Sequence, residues 1–317
     1  MKQSELMNFL HLGRPVGRVK FILDTDAYNE IDDQYAIAYA IQSADKLDLQ
    51  AIYAAPFYAA PFFSPVNGID RATSPENGME NSYNEIHHVL KLMNRQDLSN
   101  LVYRGSTRFM EHLEDTVYSP AAEDLVKRAM AMPDGERLYV AAIGAITNIA
   151  AALRIQPGIV DKMVVIWLGG HAAWWFNNAA FNCMQDPLSA KTVFDSGIPM
   201  VHIPAMGVAS HLQAGRDELQ VNLRGKNALC DYLYEKTELW AKGLRGTTHW
   251  AKTLWDISAV AWLIGDDSWM YGHLIHSPVV TLEKVYGQMD TSRHFINQIQ
   301  FIMRDKVLDD LFEKLAR

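Results

Sequence analysis

The sequence predicts an α/β fold. It would form one domain over residues 1–317, a mainly parallel sheet flanked by helices, with a small antiparallel excursion near the C-terminus. Three observations predict it. Apolar runs that read as buried strands alternate with stretches whose apolar residues recur at helical spacing. That strand–helix rhythm builds a parallel sheet covered by helices on both faces. No linker is rich enough in Pro, Gly or Ser to divide the chain, and no internal repeat occurs.

Val19 to Asp26 reads as a first strand and Asp32 to Ser43 as the helix after it, with Tyr35, Ala36, Ile37, Ala40 and Ile41 at helical spacing. Leu47 to Phe57 is a second strand. Pro56 to Gly78 is too long for a plain connector, and its aromatics Phe57, Tyr58, Phe62 and Phe63 suggest a lid that packs. Met79 to Arg95 is the next helix, then Leu101 to Arg104 a short strand and Ala121 to Met132 a helix. Arg137 to Ile143 (strand), Thr147 to Arg154 (helix) and Lys162 to Leu168 (strand ending in Gly169-Gly170) continue the rhythm. Ser189 to Ser196 is helical and Met200 to Pro204 a strand. After Gly207 the chain turns helical, most clearly over Asp231 to Ala241 and Asp256 to Ile264. Strands are expected within Val279 to Met303, and a closing helix over Lys306 to Leu315.

Composition narrows the partners. With 317 residues and 49% hydrophobic content the chain can bury a large core. A net charge of −8 and a pI near 5.7 argue against a nucleic-acid backbone as partner. Scattered basic residues, no run of ~20 apolar residues and no apolar core after Met1 argue against a membrane and a leader peptide. Two cysteines, Cys183 and Cys230, form neither a disulfide framework nor a zinc site, which suits a cytoplasmic setting.

Function is written most densely in Asp24-Thr25-Asp26 and Asn29-Glu30-Ile31-Asp32-Asp33. Five carboxylates fall within ten residues, between a buried strand and an apolar helix. Such acids repel one another and burial raises their pKa values, so a cation is expected to neutralise them. Hard oxygen ligands suit Ca²⁺ or Mg²⁺ rather than zinc. In a parallel sheet, ligands bind at the carboxyl ends of strands. The acids, Gly144 to Asn148 and Gly169-Gly170 all sit at such ends and should converge.

These motifs resemble the nucleoside hydrolase family of the inosine–uridine-preferring type. Asp24-x-Asp26 with Asp32-Asp33 is similar to its first block and Gly144-Ala145-Ile146-Thr147-Asn148-Ile149-Ala150 to its second. Val164 to Gly170 resembles its central strand and diglycine, Phe181-Asn182 with Asp186-Pro187 its ribose-binding segment, and Trp255-Asp256 the site of its last metal ligand.

The resemblance implies cleavage of the N-glycosidic bond of a ribonucleoside or related riboside, in nucleobase salvage, by a Ca²⁺-bound water and through an oxocarbenium-like transition state. It implies Asp26 as metal ligand and general base, with Asp33, the Thr147 carbonyl and Asp256 as further ligands. Asp32 and Asn182 would bind ribose, and Asp24 would orient a ligand from behind. A homodimer or homotetramer is implied as well. Asp32 and Asp256 are also ordinary helix caps.

Three departures matter. Asn29-Glu30 lengthens the acid loop, bringing Glu30 within possible reach of metal or ribose. Ala180 stands where the family commonly has a glutamate, leaving Asn177 or Asn178 to supply a ribose contact. Trp255 replaces the histidine that protonates the leaving base, so His249 becomes the candidate acid. Trp174, Trp175 and Trp255 offer an alternative, a platform stacked on the base; Trp174 and Trp175 would equally suit a core or an oligomer interface. Two other readings stay open. One is a haloacid-dehalogenase-type Mg²⁺ phosphatase, with Asp24 as nucleophile and Gly265-Asp266-Asp267 as its late acids. The other is a riboside-binding protein without turnover.

Overall fold

The computed structural model describes residues 2–58, 72–245, 249–283 and 285–317. In chain order the elements are α1 (Gln3–Phe9), β1 (Val19–Thr25), α2 (Asp32–Gln42), β2 (Leu47–Ala54), α3 (Pro75–Leu92), β3 (Val102–Arg104), α4 (Pro120–Met130), β4 (Leu138–Ala142), α5 (Thr147–Ile155) and β5 (Met163–Leu168). Then follow α6 (Phe181–Gln185), α7 (Pro187–Asp195), β6 (Met200–Ile203), β7 (Gln213–Gly215), α8 (Arg216–Leu223), α9 (Ala228–Arg245), β8 (Ala251–Thr253), α10 (Ile257–Ile264), β9 (Met270–His276), β10 (Phe295–Ile302) and α11 (Arg304–Leu315).

Eight strands make one sheet in the order β3-β2-β1-β4-β5-β6-β10-β9. All neighbours are parallel except β9 and β10, which pair antiparallel at one edge. The central strands read as unbroken apolar runs because both faces are covered, and every residue of β5 is buried. One face packs against a cluster drawn from α2, α3, α8, α9, α10 and α11. The other carries α4, α5 and α7 around Trp167, which is fully buried.

Strand order reverses between β1 and β4. From β1 the chain runs outward through β2 to β3, then returns to place β4 on the other side of β1. The crossover helices therefore leave on opposite faces, and a crevice opens between the carboxyl ends of β1 and β4. The acidic segment follows β1 directly.

The expected elements form with ends shifted by a few residues. The antiparallel excursion is displaced. Its strands are β9 and β10, whereas the described residues of 277–294 between them hold an isolated bridge, Val280 to Tyr286. The Arg293 guanidinium donates to the carbonyls of Ser277, Phe194 and Pro278, so that stretch is tied down by a side chain rather than by a ladder. The polar residues of β9 conceal it in the sequence. The lid expectation at Phe62 and Phe63 lies outside the described residues. The helix after it starts earlier than expected, at Pro75, because the Ser74 hydroxyl accepts the Asn77 amide as an N-cap. The short α1, α6 and the β7–β8 ribbon carry no strong periodic signal and were not foreseen. No helix among the described residues is long and apolar enough to cross a membrane.

Candidate active site

The crevice at the strand reversal is a pocket of about 320 Å³. The walls come from the carboxyl ends of strands and the amino ends of helices. Asp26, Asn29, Glu30, Asp32 and Asp33 follow β1, and Ile143 follows β4. Leu168, Gly169 and His171 close β5, Ala205 and Met206 follow β6, Ala179 to Asn182 and Met184 form the α6 wall, and Trp255 and Asp256 lead into α10. Thus Asp26, Asp32 and Asp33 share one cavity with Asp256, more than 200 residues further along the sequence, and its lining among the described residues holds no lysine or arginine.

The acids differ in what holds them. Asp24 lies beneath the pocket, fully buried, with Oδ1 taking a 2.7 Å bond from the Asn148 amide. Asn148 in turn accepts from the Ser106 amide and hydroxyl, which pins the end of β1 to the loop after β3. Oδ2 of Asp24 is buried with no hydrogen-bond partner. Burial pushes the Asp24 carboxyl up to about 7, although the Asn148 bond opposes this. A buried carboxylate off the pocket wall cannot act as a phosphatase nucleophile. Asp266 and Asp267, the late acids of that reading, lie away from the pocket, Asp267 paired with Arg14.

Asp26 accepts the Asn29 side-chain amide at 3.0 Å, and its main-chain carbonyl accepts the Asn29 N–H. The longer loop folds onto Asp26 by this Asx-type turn, and the next residue back, Tyr28, takes a left-handed φ of 87°. A non-glycine residue held there is strained and needs its surroundings to hold it. Across the crevice, a side chain at Gly144 would stand 2.9 Å from Asp26 Oδ1, so glycine is what lets β4 approach the acid.

Asp33 receives the Thr25 hydroxyl at 2.5 Å, and Asp256 is its close neighbour in the pocket. Burial first, and then the neighbouring Asp32 charge, push Asp33 up to about 7. Asp256 rises well above the usual carboxylate range, chiefly by burial and then by the charges of Asp32, Asp33 and Asp26. Asp26 rises similarly, by burial and then by Asp33.

Asp32 is the exception. Its Oδ1 lies 2.6 Å from Lys252 Nζ and its Oδ2 accepts the Trp255 amide at 2.9 Å. The Lys252 ammonium also reaches Glu30 at 2.6 Å and the Thr253 carbonyl at 2.8 Å, and sits 4.8 Å from the Trp240 ring centre. Burial alone would lower the Lys252 pKa. Asp32 and Glu30 more than offset this and hold it above its ordinary value. Sequence reasoning missed Lys252; the signal available was a lysine between Trp250-Ala251 and Leu254-Trp255.

The other candidate residues separate clearly. Asn182 lines the pocket, and its amide donates to the carbonyls of Ile143 and Leu168, which turns its oxygen away from those bonds. Asn178 is buried off the wall, accepting the His171 amide and donating to Cys183. Asn177 accepts the Ala179 amide and is not on the wall. Thr147 opens α5 off the wall, its hydroxyl donating to Asp186, the cap of α7. Trp255 lines the pocket. Trp174 and Trp175 do not; they pack edge to face, with Trp174 66% exposed. His249 is exposed and off the wall, whereas His171, not singled out from the sequence, is on it.

Among the described residues no group of three or more His, Cys, Asp or Glu is already gathered tightly enough to hold a metal ion. The donor chemistry nonetheless fits a hard cation. The acids of the pocket offer oxygen donors, their charges raise one another's pKa values, and Oδ1 of Asn29 is buried without a partner.

Comparison with known proteins gives the same architecture a lineage. A 71-residue stretch is 41% identical to the pyrimidine-specific ribonucleoside hydrolase RihB of Escherichia coli (strain K12 / DH10B), covering 22% of each chain. A 73-residue stretch is 41% identical to the putative pyrimidine-specific ribonucleoside hydrolase RihB of Shigella boydii, covering 22% of this chain and 30% of that one. The chain therefore spans less than a third of the length of these curated relatives. Similarity to solved structures extends further. The plant nucleoside hydrolase PpNRh1 superposes with a TM-score of 0.72 at 20% identity over 94% of this chain and 99% of that one. The purine-preferring ribonucleoside hydrolase from Gardnerella vaginalis gives 0.70 at 20% identity over 94% and 98%. A model of the family described as inosine-uridine preferring nucleoside hydrolase matches residues 65–305. With well over half of its length matched, this chain belongs to the inosine-uridine preferring nucleoside hydrolase family.

Proposed function

We propose that the protein hydrolyses the N-glycosidic bond of a ribonucleoside, releasing ribose and base. The observation that carries this reading is the meeting of Asp26, Asp32, Asp33 and Asp256 in one pocket at the strand reversal. A hard divalent cation, with Ca²⁺ as the candidate, would be held by Asp26, Asp33 and Asp256. When bound it would offset their mutual repulsion and lower the pKa of a water at the site.

The residues divide the remaining work. Asp26 lies at the end of β1 and serves as the base that takes a proton from the attacking water. The acid cluster stabilises the positive charge that develops on the sugar as the bond to the base weakens. Asn182, its amide committed to two backbone carbonyls, presents its oxygen to a ribose hydroxyl. Asp32 has both oxygens engaged by Lys252 and Trp255, so it meets ribose through remaining lone pairs of a fixed carboxylate. Ile143, Leu168, Phe181, Met184, Met206 and Trp255 form the apolar part of the wall, suited to the flat base.

The test is a reducing-sugar assay over purine, pyrimidine and nicotinamide ribosides with calcium or magnesium present. Ribose release that is lost in Asp26→Asn supports the reading. Calcium binding with no sugar released from any riboside would leave a binding protein instead.

A further inference from the structure

We propose that His171 is the hydrogen-bond donor to the departing base, taking the place left by Trp255. This rests on the hydrolase reading above. Among the described residues His171 is the histidine on the pocket wall, and the turn that carries it is built to aim it. Gly170, at φ 68°, makes that turn, and a side chain there would stand 2.5 Å from Asn178 Oδ1 and 2.6 Å from the Tyr286 hydroxyl. Those two groups hold the His171 backbone: its N–H donates to Asn178 Oδ1 at 2.8 Å, and its carbonyl accepts the Tyr286 hydroxyl at 3.0 Å.

The ring is oriented as well. Nδ1 accepts the Met206 N–H at 3.3 Å, and the ring meets the Trp175 face edge-on with centroids 6.1 Å apart. An imidazole whose Nδ1 lone pair is engaged carries its proton on Nε2 when neutral. Burial lowers the His171 pKa and favours the neutral ring, although the neighbouring Gly170 carbonyl opposes this. The pocket therefore contains a fixed N–H donor on the β5–β6 side, whereas its carboxylates come from β1, α2 and the approach to α10.

The step balances as follows. The C1′–N bond breaks and its electron pair passes to the base. The Nε2–H donates to the base nitrogen or carbonyl oxygen where that charge collects, and the imidazole stays neutral. Hydroxide from water joins C1′, its proton passes to Asp26, and an equivalent proton from solvent completes the free base.

The experiment compares inosine and uridine with 4-nitrophenyl β-D-ribofuranoside, whose phenolate departs without a hydrogen bond. Wild type, His171→Ala and His171→Gln are assayed with calcium. His171→Ala is expected to lower kcat/KM on the nucleosides roughly 100-fold more than on the nitrophenyl riboside. His171→Gln, which keeps an N–H donor, should recover part of that ratio. Retained turnover of the nitrophenyl riboside reports that the variants fold. Equal losses on both substrate classes, or no loss, overturn the role of His171. A wild type that cleaves neither class overturns the hydrolase reading itself.

Discussion

Lys252 Nζ and Asp32 Oδ1 lie 2.6 Å apart, both residues about 1% exposed, joining the β7–β8 ribbon to the first turn of α2 across 220 residues of sequence. The same ammonium holds Glu30, so one cation fixes the lengthened acid loop and one pocket wall together. Of the acids in and beneath the pocket, Glu30 and Asp32 are the two that this lysine reaches. The pairing settles which of them is structurally neutralised.

Removing that cation should therefore be costly. Lys252→Met leaves Asp32 buried without its partner, and stability is expected to fall by about 3–5 kcal/mol, as when one member of a buried pair is deleted. Glu30→Gln should cost far less, because Glu30 is partly solvated. Urea denaturation of the two variants checks the order; equal losses would contradict it.

Asp26→Asn separates activity from stability. The variant is expected to lose ribose release by at least roughly 100-fold, the contribution of a general base. In chelator it should melt at or above the wild-type temperature, because burial and Asp33 both disfavour the Asp26 charge. Differential scanning calorimetry beside the sugar assay decides it.

Divalent cation should stabilise the folded chain by mass action. At a hundredfold excess over Kd the gain is about 2.7 kcal/mol, a rise of several degrees in Tm. Asp256→Asn should abolish most of the shift. An unchanged Tm in millimolar calcium against a chelated control would argue that Asp26, Asp33 and Asp256 hold no ion.

Acid stability should carry the mark of His202. This buried histidine donates from Nε2 to the Gly169 carbonyl at 2.6 Å and accepts Gln298 at Nδ1, an arrangement that only the neutral ring satisfies. Burial drives its pKa down to about 4. The unfolded chain thus binds this proton more readily than the folded one. The contribution to stability is complete above about 6.5 and is lost as pH falls toward 4, amounting to about 3 kcal/mol. The difference between wild type and His202→Gln, followed from pH 7 to 4, isolates it; a constant difference would refute it.

Much of the molecule is legible in the sequence. The alternation of apolar runs and helical periodicity marks the eight-stranded sheet except β9, whose polar residues hide an edge strand. Asp26, Asp32, Asp33, Asn182, Trp255 and Asp256 all reach the pocket because each sits just after a strand or at the start of a helix, a position that local pattern marks. The same logic fails for His249, Trp174 and Trp175. They are near the right blocks, but loop conformation turns them off the pocket wall.

What the sequence by itself determined was the sheet, the direction of its strands and the acids gathered at one end. All three follow from short-range periodicity and from the rule that parallel strands bring their ends to one edge. Tertiary structure alone decided which oxygens are already taken: Asp32 by Lys252, Asp24 by Asn148 and Asn178 by His171. It also decided that His171 rather than His249 meets the cavity. The reason is physical. Hydrogen bonds in a buried site are made between atoms brought together by folding, over separations of up to 220 residues here, and no local pattern records them.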